Sequence, residues 1–174
     1  MLPMSKAQWV SRAYMEHILA AMGNENALAV RVSMRYGIRI GDVLRMPTAA
    51  LSVRVWSFKE EKTGKRRRVV LGEDIKRRLA SIAGKVYVFE HRTNQYKHRT
   101  RQAVYKDIKR VAKFYRVPHV TTHSARKVYA VEQYHKSGGD LGKVARLLNH
   151  SDEAVTMLYA LADELSTYKN KCSD

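Results

Sequence analysis

Along the first part of the chain, apolar residues recur near every third or fourth position. Trp9, Ala13, Ile18, Leu19 and Met22 follow that period and Ser5 to Gln8 has capping-box form, which predicts a helix over about 5–22. Asn24 to Asn26 interrupts the pattern. Ala27 to Tyr36 then reads as a second, largely buried helix, stopped by Gly37, a natural left-handed terminator. At Leu51 the period changes to two. Leu51, Val53 and Val55 alternate with polar or basic residues, Glu60 to Gly64 reads as a turn, and Lys65 to Leu71 reads as a returning strand. The prediction is a β-hairpin with Gly64 near its tip.

Helical spacing then returns. Gly72 to Ala83 predicts a helix, Val86 to Phe89 a short strand, and Arg92 to Thr100 a polar, basic loop. Thr100 caps a longer helix with Val104, Ile108, Val111, Ala112 and Tyr115 on one face, while Arg101, Lys106, Lys109, Arg110 and Lys113 cover much of the rest. Beyond Pro118, Thr122 is the candidate cap of a helix carrying His123 and Arg126 on one face of its first turn. Gly138 and Gly139 end that helix, and Asp140 caps another with Leu141, Val144, Ala145 and Leu148 as its apolar stripe. Asn149 follows where a left-handed residue would turn the chain, and Ser151 caps a last short helix in which Val155, Leu158 and Tyr159 share a face. The fold class expected is α+β, mainly helical, with a small antiparallel hairpin or sheet on one side.

Charge narrows the function. The 174 residues contain 33 Lys and Arg against 16 Asp and Glu, a net charge of +17, and a field of that sign concentrates polyanions. Nucleic acid is the leading partner. An anionic membrane is the rival, but no apolar run approaches the roughly 20 residues of a spanning helix and no signal peptide opens the chain. A cytoplasmic, nucleoid-associated protein of one domain is expected, and the single Cys172 can form neither an internal disulfide nor a metal site alone. The basic run Lys65 to Arg68 is either a solvated strand edge or, the favoured reading, a phosphate-tracking strip. Arg39 stands awkwardly between Ile38 and Ile40, so its guanidinium should be fixed by a buried acceptor such as Asp42 or kept for an anionic ligand. His123, Arg126, His150 and Tyr159 add four groups that can each act on a phosphodiester.

These residues carry a resemblance. The stretch from Gly37 through Arg39 and Asp42 to Leu44 resembles the first box of the tyrosine recombinase, or phage integrase, family. His123 to Arg126 matches its His-x-x-Arg box, and Leu148 to Ser151 followed by Tyr159 matches its Leu-Gly-His-Ser box with the nucleophilic tyrosine nine residues after the histidine. The turn Lys62 to Gly64 resembles the hairpin of the family's catalytic lysine. The likeness spans residues 3 to 165 in the family's order and spacing. It departs at Ala125, at Lys127 and at Asn149, which stands for the usual glycine.

The resemblance implies a catalytic-domain fold of that family and a site-specific recombinase or integrase of a phage or mobile element. It implies Tyr159 as nucleophile, Arg39 and Arg126 as phosphate clamps, His123 and His150 as hydrogen-bond donors to the phosphate, and Lys62 as general acid. Lys59 and Lys65 border the same turn and would replace Lys62 after a register slip. A 3′-phosphotyrosyl intermediate would need no ATP, metal or other cofactor, in keeping with a sequence that shows neither a Walker loop nor an acidic metal-binding cluster. The other readings are an idle DNA-binding module of the same fold and a type IB topoisomerase-like enzyme. Intact Arg39, His123, Arg126, His150 and Tyr159 argue against the first; size and box spelling argue against the second.

Family members commonly carry a separate helical core-binding domain, which the 174 residues do not include, so the whole chain reads as a single DNA breaking and rejoining domain, either a naturally short recombinase or an isolated catalytic domain. An accessory DNA-binding protein could supply the missing clamp, and recombination implies a homotetramer on double-stranded DNA. The tail from Ala160 to Asp174 is either a segment exchanged with a neighbour or a frayed terminus. Without a clamp on the other side of the duplex, DNA affinity should be weak and electrostatic. Fluorescence anisotropy at 50 and 200 mM salt should show a loss of about 10³-fold or more; a nanomolar, salt-insensitive affinity for one site would contradict this.

Overall fold

The computed structural model describes residues 9–149. Its centre is the helix α2 (Asn24–Tyr36), which buries Ala27, Leu28, Ala29, Val30, Val32, Ser33 and Met34 on nearly every side. Helices α1 (Arg12–Ala20), α5 (Arg101–Phe114) and α6 (Thr122–Lys136) pack around it, with the short α3 (Ile40–Leu44) and α4 (Glu73–Ala80) at its C-terminal end. Met15, Ile18, Leu28, Met34, Leu79, Phe89 and Ile108 fill the main core. A second cluster joins Tyr129, Ala130 and Val131 of α6 to Val144, Ala145 and Leu148 in and beside α7 (Leu141–Leu147), with Trp9 packed against it. No helix among the described residues is long and apolar enough to cross a membrane.

The helix starts follow from who supplies the cap. Ser11 accepts from the Tyr14 amide (3.2 Å), so α1 begins at Arg12 and not near residue 5; the cap foreseen at Ser5 to Gln8 lies outside the described residues. Asn24 to Asn26 does not break the chain. These residues form the first turn of α2, because Asp107 reaches across from α5 to accept from the Gly23 amide (2.9 Å) and from Asn26 Nδ2 (2.8 Å). Thr100 caps α5 and Asp140 caps α7 as foreseen. The α6 cap is Thr121, one residue before the one expected: its hydroxyl accepts from the His123 amide, and Ser124 Oγ accepts from the Thr121 amide, closing a capping box.

The hairpin is present but shorter than its pattern. Strands β1 (Trp56–Lys59) and β2 (Arg66–Val69) pair antiparallel, Trp56 opposite Val69 and Lys59 opposite Arg66, around Gly64 at φ +67°. The strand expected from Leu51 begins only at Trp56. Thr48–Leu51 is a 3₁₀ turn whose Leu51 packs on the core, but Val53 is 45% exposed, so the alternation builds no continuous buried face. Val86 to Phe89 forms no regular strand; Tyr87 bridges Pro47, and the Val88 amide donates to Met46 O (3.0 Å). The segment read as a basic loop instead folds into a second hairpin, β3 (Glu90–His91) and β4 (Asn94–His98). Its β4 residues are largely exposed and carry no apolar alternation, which removes the signal that would have announced a strand.

Gly37 ends α2 at φ +64°, and a β-carbon there would lie 2.5 Å from Tyr129 Cδ1 of α6. Both the left-handed backbone and the ring demand glycine. Gly37→Ala should lower unfolding free energy by about 2–4 kcal/mol in urea denaturation; a change under about 0.5 kcal/mol, the range of neutral surface substitutions, would contradict this packing.

Candidate active site

The left-handed turn at Gly37 sends the chain back across the end of α2, where Ile38 and Ile40 are both buried. Their burial turns the side chain between them toward a cleft. Arg39 sits there as the extended residue before α3 (φ −64°, ψ 142°), 13% exposed at its side chain. The cleft, about 710 Å³, is lined by Arg39, by Lys62 from the β1–β2 turn, and by His123 and Arg126 from the start of α6. Four of the six residues singled out in the sequence thus meet in one place. His150 and Tyr159 lie outside the described residues. Of the three lysines around the hairpin turn, Lys62 lines this cleft while Lys59 lines a neighbouring one beside Trp56 and Phe58.

What holds the cleft together is a buried carboxylate that the sequence reading passed over. Glu60 closes the turn through its backbone, its amide donating to Lys65 O and its carbonyl accepting from the Gly64 amide, each at 2.9 Å. Its side chain has no exposure and accepts from Arg39 Nη1 (2.9 Å), Thr63 Oγ1 (2.8 Å) and Arg67 Nη1 (3.2 Å). Burial by itself would raise this carboxyl, but the bonds from Thr63 and Arg67 and the charges of Arg39 and Arg67 outweigh it and hold its pKa below the ordinary value. Glu60 is therefore a buried acceptor that helps fix Arg39, while Asp42 Oδ1 accepts from Arg45 Nη2 (2.7 Å) and from the Glu61 amide (2.9 Å).

Arg67 corrects the reading of the basic run. Strand alternation leaves Arg66 and Arg68 exposed and turns Arg67 inward, so the run is not a uniform phosphate-tracking strip. Arg126 is buried as well, and its Nη2 donates to Leu148 O (2.9 Å) at the end of α7. Asn149 follows at φ +67°, the left-handed conformation foreseen for it. The cleft also takes in Arg101, Gln102 and Tyr105 of α5. Arg101 had been read only as part of a basic helix face; its place directly after the Thr100 cap was the available signal. Tyr129 lies behind the cleft, its phenol pushed up by burial against the opposing pull of Arg67 and Arg126, so it stays protonated.

Arg39 and Arg126, each held by a hydrogen bond, together with Arg101 beside the N-terminus of α6, make a cleft suited to an anion with several oxygens. The sequence model described as "Phage integrase family" matches residues 8–165. The chain belongs to the phage integrase family of tyrosine recombinases. A curated relative, the probable integrase/recombinase YoeC of Bacillus subtilis (strain 168), is 26% identical over 140 residues, covering 75% of this chain and 74% of the relative. The solved XerH site-specific recombinase, in a pre-cleavage complex with its difH substrate, superposes with a TM-score of 0.66 at 19% identity over 88% of this chain. The chain spans about half of XerH (51%) but matches 88% of the catalytic domain of bacteriophage HP1 integrase, with a TM-score of 0.60 at 18% identity. The mainly helical fold with small antiparallel sheets is that of tyrosine recombinase catalytic domains.

Because the Glu60 pKa is lowered on folding, its ionisation stabilises the integrase fold above the unfolded value near about 4.3, and that contribution is lost as pH falls through the lower folded value. Glu60→Gln should cost about 3 kcal/mol at neutral pH, with the gap to wild type shrinking below about pH 4. Urea denaturation across pH 3 to 7 checks this; a gap independent of pH would refute it.

Proposed function

We propose that the chain breaks and rejoins DNA strands as a tyrosine site-specific recombinase, with Tyr159 as nucleophile. Its phenolate oxygen attacks the scissile phosphorus; the bond from phosphorus to the 5′ oxygen breaks, and that oxygen leaves with a proton from Lys62. The 3′-phosphotyrosyl link conserves the bond, so attack by a 5′ hydroxyl of the incoming strand reseals the backbone and frees the phenol. No ATP, metal or other cofactor enters that balance. Arg39 and Arg126 clamp the non-bridging oxygens, where charge grows in the transition state, and His123 and His150 hydrogen-bond to them. A phenol with an ordinary pKa of about 10 needs such cations nearby to act as phenolate near neutral pH.

The observation that carries this reading is the convergence of Arg39, Lys62, His123 and Arg126, from three separate stretches of sequence, on one cleft. The net charge of +17 and the DNA-bound state of XerH support double-stranded DNA as the substrate. Strand exchange between two duplexes then calls for four copies of this chain on DNA, with an accessory DNA-binding protein as a further candidate partner.

The test starts from a pool of nicked duplexes with a randomised core, from which wild-type protein captures its own site covalently. On the selected duplex, wild type should yield a protein–DNA adduct stable to denaturation, and Tyr159→Phe should reduce it by about 10³-fold or more. An adduct that persists in the phenylalanine variant would sink the assignment of Tyr159. Absence of any captured DNA with wild type would favour an idle DNA-binding module.

A further inference from the structure

Arg67 was read as one member of a basic strip, yet it is 9% exposed and spends its donors inside the protein. Nη1 donates to Glu60 Oε1 and to Gly37 O, each at 3.2 Å. Nη2 donates to Tyr36 O (2.6 Å) and to Leu147 O (3.1 Å). One planar group thus touches the turn that carries Lys62, the turn that leads to Arg39, and the last residue of α7, three positions before His150. The neighbouring carbonyl, Leu148 O, is held by Arg126 of α6 (2.9 Å). Two successive carbonyls at one helix end are therefore fixed by guanidinium groups from β2 and α6.

We infer that Arg67 is a positioning residue that, through Glu60, sets the Lys62 turn at a fixed register over the cleft, using the end of α7 as its reference. The inference rests on the strand-transfer reading above. The turn is also anchored by the Glu61 amide on Asp42 Oδ1 of α3, by Arg39 Nη1 on Glu60 Oε2 and by Thr63 Oγ1 on Glu60 Oε2, and none of these partners lies on α7. Arg67 alone among these reaches α7. Lysine cannot take its place, because a single ammonium offers no fork to span four acceptors. Loss of this register leaves phosphate binding by Arg39 and Arg126 in place and displaces the general acid, and a displacement near 1 Å is enough to cost about a hundredfold in rate.

The proposal is tested with Arg67→Lys, and with Arg67→Met as a second variant that removes every donor of the fork while leaving the Arg39–Glu60 pair in place. Both are compared with wild type on the captured duplex and on the same duplex with sulfur replacing the bridging 5′ oxygen. A thiolate leaves without a general acid, since a thiol has a pKa of about 8.5. On the oxygen duplex, either variant should cleave at least about tenfold slower in single turnover, with DNA affinity by anisotropy within about threefold of wild type. On the sulfur duplex the deficit should fall to about threefold or less, as it should for Lys62→Ala. Equal deficits on both duplexes, a rate loss matched by lost affinity, or wild-type cleavage by both variants would overturn the role. Wild type inactive on both duplexes would instead overturn the strand-transfer reading, and this role with it.

Discussion

A carboxylate with no exposure to water is the constraint on which the cleft depends. Removing such a group from solvent costs several kcal/mol unless charge and hydrogen bonds compensate it. Glu60 meets that demand with two guanidinium groups and a hydroxyl, and each partner comes from a different piece of chain: Arg39 from the turn after α2, Arg67 from β2, and Thr63 from the hairpin turn itself. Folding cannot bury Glu60 without bringing these pieces together. The stability of the fold and the assembly of the cleft are in this sense one event, and the pair of arginines leaves the site with more positive than negative charge before any substrate arrives.

The scaffold around that constraint is built from local rules. The apolar circumference of α2 requires helices on most of its sides, and α1, α5 and α6 supply them. Gly37 sets the exit angle of α2 and permits close approach of Tyr129, which binds the Arg39 turn to the same helix that presents His123 and Arg126. Membership in the tyrosine recombinases agrees with this arrangement, since three of the four segments that carry the resemblance, those of Arg39, of Lys62 and of His123 with Arg126, meet here.

The sequence was most legible where one residue type performs a local, stereochemical task. Gly37 and Asn149 adopt the left-handed conformations expected of them, Gly64 sits at the hairpin turn where it was placed, and Thr100 and Asp140 both cap helices. Four of the candidate site residues could be brought together because their spacing repeats a family pattern. Readings failed where tertiary contacts overrode local signals. Asp107 lies far from Asn24 in sequence, so the cap that keeps Asn24 to Asn26 helical could not be read locally. The strand β4 has no apolar face to reveal it, and the alternation before Trp56 is broken by an exposed Val53 and a 3₁₀ turn. Glu60 and Arg67 were overlooked for a related reason: charged residues in a hairpin normally point outward, and only the register of β1 against β2 shows that these two do not.

Arg126 faces two ways, lining the cleft while holding the carbonyl of Leu148. Thermodynamic linkage makes those two duties reciprocal. An anion that draws the guanidinium into a fixed pose also fixes the end of α7, and any contact that steadies the backbone at Leu148 raises the affinity of the cleft for that anion by the same factor. The end of α7 is thus coupled to the occupancy of the cleft through the side chain of Arg126.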